Sequence, residues 1–205
     1  MLKLFHAWGS CSLASLIALE EAGAAYELHV VSTRAGDQRK PEYLAINPKG
    51  RVPALVTGHG VLTETPAILA YVAQAYPAAG LAPADPWTFG QMQAFNSYLC
   101  STVHVAHAHK HRGYRWATEE SSFADMRRKV AENEAECFRL IEDEYLKGPW
   151  VMGDQFTVAD GYLFTMAGWL EEDGVDPTQF PRVLDHHRRM QARPAVGKVL
   201  AQQAA

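Results

Sequence analysis

The sequence predicts an α/β half followed by an all-α half, and three observations predict it. Up to Tyr76, runs with strand alternation and runs with helical spacing interleave as β-α-β-α-β-β-α. A Pro/Ala/Gly-rich stretch from Pro77 to Pro86 then reads as a linker. Beyond it the apolar residues recur at helical spacing and no segment carries a strand signal of any strength. The expected division is 1–78, a linker at 79–86, and a helical part at 87–205.

Each element has its own justification. Leu2 to His6 is a short apolar strand, and Ala7 to Ser10 is a loop containing Trp8-Gly9. Leu13, Leu16, Ile17 and Glu20 fall at helical spacing, and Gly23 stands where a helix C-terminus favours glycine. Tyr26, Leu28 and Val30 alternate with Glu27, His29 and Val31, as a strand requires. Ser32 to Lys40 is polar and is expected to be a mobile loop; Pro41 to Leu44 is a helical turn. Ala54–Thr57 and Gly60–Leu62 form a hairpin across Gly58-His59. Thr65 suits an N-cap and Pro66 the first helical position of a helix ending near Tyr76. In the second half, Met92, Phe95, Leu99, Val103 and Ala106 continue a stripe begun at Phe89, on a helix from Trp87 to His111. A second helix, Ser121 to Leu146, places Phe123, Met126, Val130, Cys137, Leu140 and Ile141 inward. Thr157-Val158-Ala159-Asp160 is a capping box that nucleates a third, with Phe156 as half of a hydrophobic staple that Gly161 cannot complete. Pro181 to Met190 and Pro194 to Gln203 complete the set.

Bulk composition narrows the function. A net charge of −4 argues against a nucleic-acid surface. No apolar run is long enough for a membrane span, and Met1 to His6 lacks the apolar core of a signal peptide. Three widely spaced cysteines, Cys11, Cys100 and Cys137, fit a reducing compartment, so a cytoplasmic protein is expected.

Four places carry chemistry. Asn47-Pro48-Lys49-Gly50-Arg51-Val52-Pro53 is bracketed by prolines and opens a strand. A Val-Pro turn there can direct the Val52 backbone out of the sheet towards an extended ligand; an inert loop is the plain alternative. Ser10-Cys11-Ser12 lies at a helix start, where unpaired N–H groups and the dipole favour an anion and lower a thiol pKa. The plain alternative is a serine cap with Cys11 packed as a small apolar residue. Glu64-Thr65 precedes a helix and could read an ammonium and a carboxylate, or simply cap it. On the helix after the linker, His104, His107 and His111 share about 60° of arc while His109 faces away. The neighbouring Lys110, Arg112 and Arg115, with no acid among them, disfavour a metal and suit an anionic ligand. No metal is expected.

Together these residues resemble the glutathione transferase family, over nearly the whole chain. N-P-K-G-R-V-P-A-L, L-T-E-T-P-A-I and F-T-V-A-D-G-Y-L-F occur in that family's order and spacing. The resemblance implies a thioredoxin-like half followed by an all-helical half. Gly9-Ser10-Cys11-Ser12-Leu13 is most similar to the bacterial beta class, whose signature is a cysteine at this place. It also implies roles. Pro53 is the cis proline, and the Val52 backbone pairs with the cysteinyl unit of glutathione. Glu64 and Thr65 hold the γ-glutamyl ammonium and carboxylate. Cys11, with Ser12 and His104, lies beside the glutathione sulfur. Arg34, Arg39 or Lys40 reaches the glycine carboxylate, with Arg34 entering the candidate set. Trp8, His107, His111, Tyr114 and Trp116 line the electrophile site. His6 and Trp8 depart from the beta pattern, where tyrosine and a small residue or proline are commoner.

The implied chemistry is thiol activation followed by attack on a small hydrophobic electrophile, with glutathione as co-substrate. Lowering a thiol pKa by about two units takes about 2.7 kcal/mol. A helix N-terminus supplies up to about 2 kcal/mol and a charge-assisted hydrogen bond about 1.5–3 kcal/mol, so no metal is required. Two other readings are a glutathione-dependent thiol-disulfide or peroxide reductase that uses Cys11, and a non-catalytic glutathione-fold binding protein. The family normally forms homodimers, which is the expectation here.

Overall fold

The computed structural model describes residues 1–203. Its N-terminal half is a four-stranded sheet with helices. β1 (Leu2–His6) pairs in parallel with β2 (Tyr26–Val30) and antiparallel with β3 (Ala54–Thr57), which forms a hairpin with β4 (Gly60–Thr63). The order is β2-β1-β3-β4, so β1 and β3 are central. Leu4 stands opposite both Leu28 and Leu55 in the register, and Leu4 and Leu55 are fully buried. α1 (Ser12–Glu21) follows β1, α2 (Pro41–Leu44) precedes the Val52–Pro53 turn, and α3 (Thr65–Ala75) follows β4.

The second half is helical: α4 (Pro86–Tyr98), α5 (His104–Arg112), α6 (Glu120–Leu140), α7 (Val158–Ala167), α8 (Pro181–Gln191) and α9 (Pro194–Gln203). This is the α/β plus all-α architecture that the sequence predicts, and its strands and helices follow the expected order. Two expected continuous helices carry π-helical segments instead: Leu99–Val103 joins α4 to α5, and Ile141–Tyr145 ends α6. Leu140 is exposed rather than internal, and Phe138 takes its place in the core.

α1 is shared by the two halves. It packs on α3 within its own half and on α7 and α9 of the helical half. Gly161 makes the α7 contact close, since a Cβ there would lie 3.3 Å from Ile17 Cγ2. Arg193 grips Glu21 through two bonds (2.5 and 2.7 Å), and Lys198 reaches Glu20 at 2.7 Å. The segment between the halves is held by Leu81 C=O, which accepts from Val158 N–H at 2.9 Å.

The capping box of α7 is present, but its acid does more than cap. Asp160 is fully buried. Its Oδ2 accepts from Thr157 N–H (2.8 Å), and its Oδ1 accepts from Val151 N–H (2.8 Å) and His186 Nε2 (3.0 Å). It therefore ties α7, α8 and the preceding loop into one core. Phe156 stacks against the Arg193 guanidinium, 3.5 Å from its ring centre, instead of stapling to Gly161.

Candidate active site

The floor of the site is fixed by carbonyl capture. Tyr43 OH and Asn47 Nδ2 both donate to the Arg51 C=O, at 2.6 and 2.7 Å. This sets the entry into Val52–Pro53, whose peptide is cis, at the start of β3. Val52 C=O faces the Cys11 thiol, with Sγ 3.8 Å away. Gly50, at φ +59°, allows the 38–39 segment to lie against this loop; a Cβ would sit 2.8 Å from Arg39 Nη1 and 2.9 Å from Gln38 O.

The start of α1 forms the next wall. Cys11 occupies the N-cap position with helical dihedrals and no side-chain cap bond. Position at a helix start predicts a lowered thiol pKa. Burial overrides it and pushes the Cys11 thiol up, against weaker opposing pulls from Thr65 and Arg112. Ser12 does not reach the cleft. It is fully buried, and its Oγ accepts from Ala7 N–H (3.1 Å) and lies 2.7 Å from both His6 Nδ1 and Ser10 Oγ. Ser10 lines the cleft in its place. Burial of His6 pushes its pKa down to about 4, so it is neutral. Its Nε2 is buried without a partner, which places the ring proton on Nδ1. Donation then runs from His6 through Ser12 and Ser10 to Ala7 C=O. The same ring meets Trp8 edge-on at 4.3 Å and so orients the tryptophan over the cleft. The two departures at His6 and Trp8 are thus one packing unit.

Glu64, not Thr65, holds the cap position of α3. It has φ +74°, a conformation no other non-glycine residue adopts among the described residues, and makes no side-chain cap bond. Its carboxylate is exposed and pairs with Lys49. Thr65 is the first helical residue and is buried. Neither lines the main cavity. The polar 32–40 loop is tied down, contrary to expectation. The Asp37 carboxylate accepts from Ser32 N–H (3.2 Å) and pairs with Lys40 (2.7 Å). Of the three bases in this loop, Arg39 lines the cleft, while Arg34 does not and Lys40 is held by Asp37.

The helical half supplies the opposite wall. His104 has its pKa driven down to about 3, by burial first and then by the Arg112 cation, and its Nε2 accepts from Arg112 Nη1 at 3.4 Å. His107 stacks on Trp169 at 4.2 Å, and its Nδ1 lies 2.6 Å from Asp173 Oδ2. Asp173 also takes Lys110 at 3.2 Å. The sequence shows no acid near these histidines because Asp173 arrives from the loop after α7. His111, Tyr114 and Trp116 stand at the exposed rim. His109 faces away, against Trp116 at 4.3 Å. No group of three or more potential metal-ligating acids, cysteines and histidines occurs among the described residues.

These walls enclose a cleft of about 600 Å³ between the two halves. It brings together Cys11, Val52 and His104 with Trp8, His107, His111, Tyr114 and Trp116. It leaves out Ser12, Arg34, Glu64 and Thr65. Ser10, Arg51, Arg112, Arg115 and Trp169 also line it. In the sequence, Ser10 and Arg51 lie within the named segments without individual roles, Arg112 and Arg115 read only as suited to an anionic ligand, and nothing points to Trp169.

Comparison with known proteins agrees with this architecture. The model of the glutathione S-transferase N-terminal domain matches residues 1–74, and that of the C-terminal domain matches residues 128–189. Glutathione S-transferase GstA of Escherichia coli O157:H7 is 30% identical over 98% of both chains. A glutathione transferase homologue from Sulfitobacter, solved with bound glutathione, superposes with a TM-score of 0.97 at 47% identity, covering 99% of this chain and 98% of that one. A beta-class glutathione S-transferase from Sphingomonas chungbukensis superposes at 0.85 with 33% identity over 98% of each chain. Activities differ among the relatives: a protein of Escherichia coli K12 named disulfide-bond oxidoreductase is 26% identical, over 89% of this chain and 86% of its own.

Proposed function

The chain belongs to the glutathione S-transferase family, and on that premise we propose that it binds glutathione in the cleft and joins the glutathione thiolate, its C–S bond intact, to a small hydrophobic electrophile held against α5. The observation that carries this reading is that Cys11, Val52 and His104 line one cleft. The tripeptide lies along the Val52 edge, with its cysteinyl unit paired to the Val52 backbone and its sulfur near Cys11. Glu64 and Thr65 take the γ-glutamyl end. The unusual backbone of Glu64 supports this, since such conformations persist where the surroundings demand them. The glycine carboxylate goes to Arg39, with Arg34 set aside. Neutral His104 is a hydrogen-bond partner for the sulfur, and Ser12 acts indirectly by orienting Ser10. Trp8, His107, His111, Tyr114 and Trp116 surround the electrophile.

Calorimetry with glutathione and turnover of a chlorodinitrobenzene test the reading together. Binding with conjugation supports it; a folded protein with neither refutes it. The presence of Cys11 on the cleft wall keeps the reductase reading in view. Cys11→Ser separates the two: conjugation changes modestly if Cys11 only sits beside the sulfur, whereas disulfide reduction through a mixed disulfide is abolished. Tight glutathione binding with no turnover of any electrophile, disulfide or peroxide would favour the binding-protein reading. The homodimer and the cytoplasmic location are carried from the family resemblance. A monomeric mass at micromolar concentration would contradict the first.

A further inference from the structure

We propose that the electrophile taken by this protein carries a carboxylate, received by Arg112 and Arg115 on the helical wall of the cleft. The proposal rests on the transferase reading above and names its substrate class. It starts from a charge census. Every lysine, arginine, aspartate or glutamate that lines the cleft is an arginine: Arg39, Arg51, Arg112 and Arg115. None of the four pairs with a carboxylate among the described residues, although ion pairs are common on the rest of the surface. Arg112 is the most telling. It is half-buried, and its side-chain hydrogen bond goes to the neutral His104 ring at 3.4 Å. Burial, Arg115 and Arg51 all act to lower its pKa, so the guanidiniums crowd one another without an answering anion from the chain. Charges withdrawn from water are ordinarily paired.

Glutathione does not account for all four. Its γ-glutamyl end is assigned to Glu64 and Thr65, and its glycine carboxylate to Arg39 with Arg51 adjoining. Arg112 and Arg115 belong to the helical wall, with Tyr114 and Trp116, whereas Arg39 and Arg51 come from the N-terminal half. Arg115 lies over the Tyr114 ring at 6.0 Å. A cation pair beside an aromatic rim fits a molecule with a planar or apolar body and a carboxylate, because guanidinium binds that group through a matched fork. A purely hydrophobic electrophile would leave these cations desolvated.

The test compares a chloronitrobenzoate with the corresponding chloronitrobenzamide, at saturating glutathione. A charge-assisted hydrogen bond of about 1.5–3 kcal/mol corresponds to about a tenfold to hundredfold change. Relative to each compound's uncatalysed reaction with glutathione, the wild type is expected to favour the benzoate in kcat/KM by at least about tenfold, with the preference shrinking as salt is added. Arg115→Gln should remove most of that preference while leaving the amide rate and the KM for glutathione unchanged; Arg112→Gln should remove it as well. Equal rate enhancements for benzoate and amide in the wild type, each taken over its uncatalysed reaction with glutathione, would overturn the proposal and leave the transferase reading standing. So would a rise in the KM for glutathione in Arg115→Gln with the benzoate preference intact, since the arginine would then serve the tripeptide. If the wild type turns over neither compound, the transferase reading fails for this chemistry. Calorimetric binding of the benzoate then decides: binding lost in Arg115→Gln supports the anion site, and no binding by the wild type overturns it.

Discussion

Asp160→Asn should destabilise the protein far more than the loss of a helix cap does. The substitution keeps the shape of the side chain and replaces one carboxylate oxygen with an NH2 group. Oδ1 accepts from Val151 N–H and His186 Nε2, and Oδ2 accepts from Thr157 N–H. If the amide oxygen faces Thr157, the Val151 and His186 donors meet another donor. If it faces Val151 and His186, the Thr157 cap is lost and its N–H meets the NH2. The first orientation leaves two buried donors unsatisfied, at about 1–3 kcal/mol each. The second leaves one such donor and loses the cap, worth about 0.5–2 kcal/mol. The cost is about 2–6 kcal/mol in the first orientation and about 1.5–5 kcal/mol in the second, and a fall in Tm of about 2–4 °C per kcal/mol is expected for a chain of this size. Urea unfolding followed by circular dichroism, at one protein concentration for both proteins, measures it. A loss below about 1 kcal/mol with an unchanged m value would show that Asp160 is only a cap.

Three further outcomes follow from the geometry. Gly50→Ala forces a left-handed residue, at about 1–2 kcal/mol, and drives its Cβ against Arg39 and the Gln38 carbonyl; the KM for glutathione should rise several-fold with kcat little changed, and an unaltered KM would separate Arg39 from glutathione binding. Glu134 is buried, and that burial, with Asp173 nearby, pushes its pKa up from 4.5 to about 8. The folded state therefore keeps a proton that the unfolded chain has released, so this group makes stability fall as pH rises from about 4.5 to about 8, by up to about 1.4 kcal/mol per pH unit. Glu134→Gln should flatten that fall, and urea midpoints between pH 6.5 and 8 that decline as steeply as the wild type would contradict it. On the acid side, burial of neutral His6 and His104 acts in the other sense: their folded pKa values are about 4 and about 3, so the stability they contribute above pH 6.5 is lost as pH falls. His6→Asn should therefore weaken the acid loss, and an identical midpoint-against-pH curve would rule out His6 as its source.

The local chain determined most of what could be read early. Strand alternation, the Gly58-His59 hairpin, the proline-bracketed loop and the Thr157 box are all short-range patterns, and each appears where the sequence places it. The site was legible as a set of segments but not as a set of side chains. Nothing in Ser10-Cys11-Ser12 tells which hydroxyl turns inward; that depends on His6, whose buried ring lies 2.7 Å from Ser12. The choice among Arg34, Arg39 and Lys40 depends on Asp37 holding one of them and on Gly50 making room for another. His107 looked like part of a purely basic helix because its acid, Asp173, is 66 residues away in sequence. The raised thiol of Cys11 has the same origin: a helix start favours the thiolate, and enclosure behind Val52, which only the assembled fold supplies, opposes it.

The π-helical segment Leu99–Val103 has an evolutionary consequence. Such a segment closes each backbone ring one residue later than an α-helix does. Residues after it are offset by one position, about 100° around the axis. His104, His107, His111 and Arg112 meet the cleft with that offset in place. Loss of a single codon within the segment would be absorbed by its closing into a regular α-helical turn, which leaves the same row of side chains facing the cleft. The Asn47–Pro53 loop and the start of α1 would be untouched by such a change. A lineage could therefore shed one residue at this point without disturbing either wall of the site, whereas the same loss one turn later, within α5, would rotate the row beyond it by about 100°.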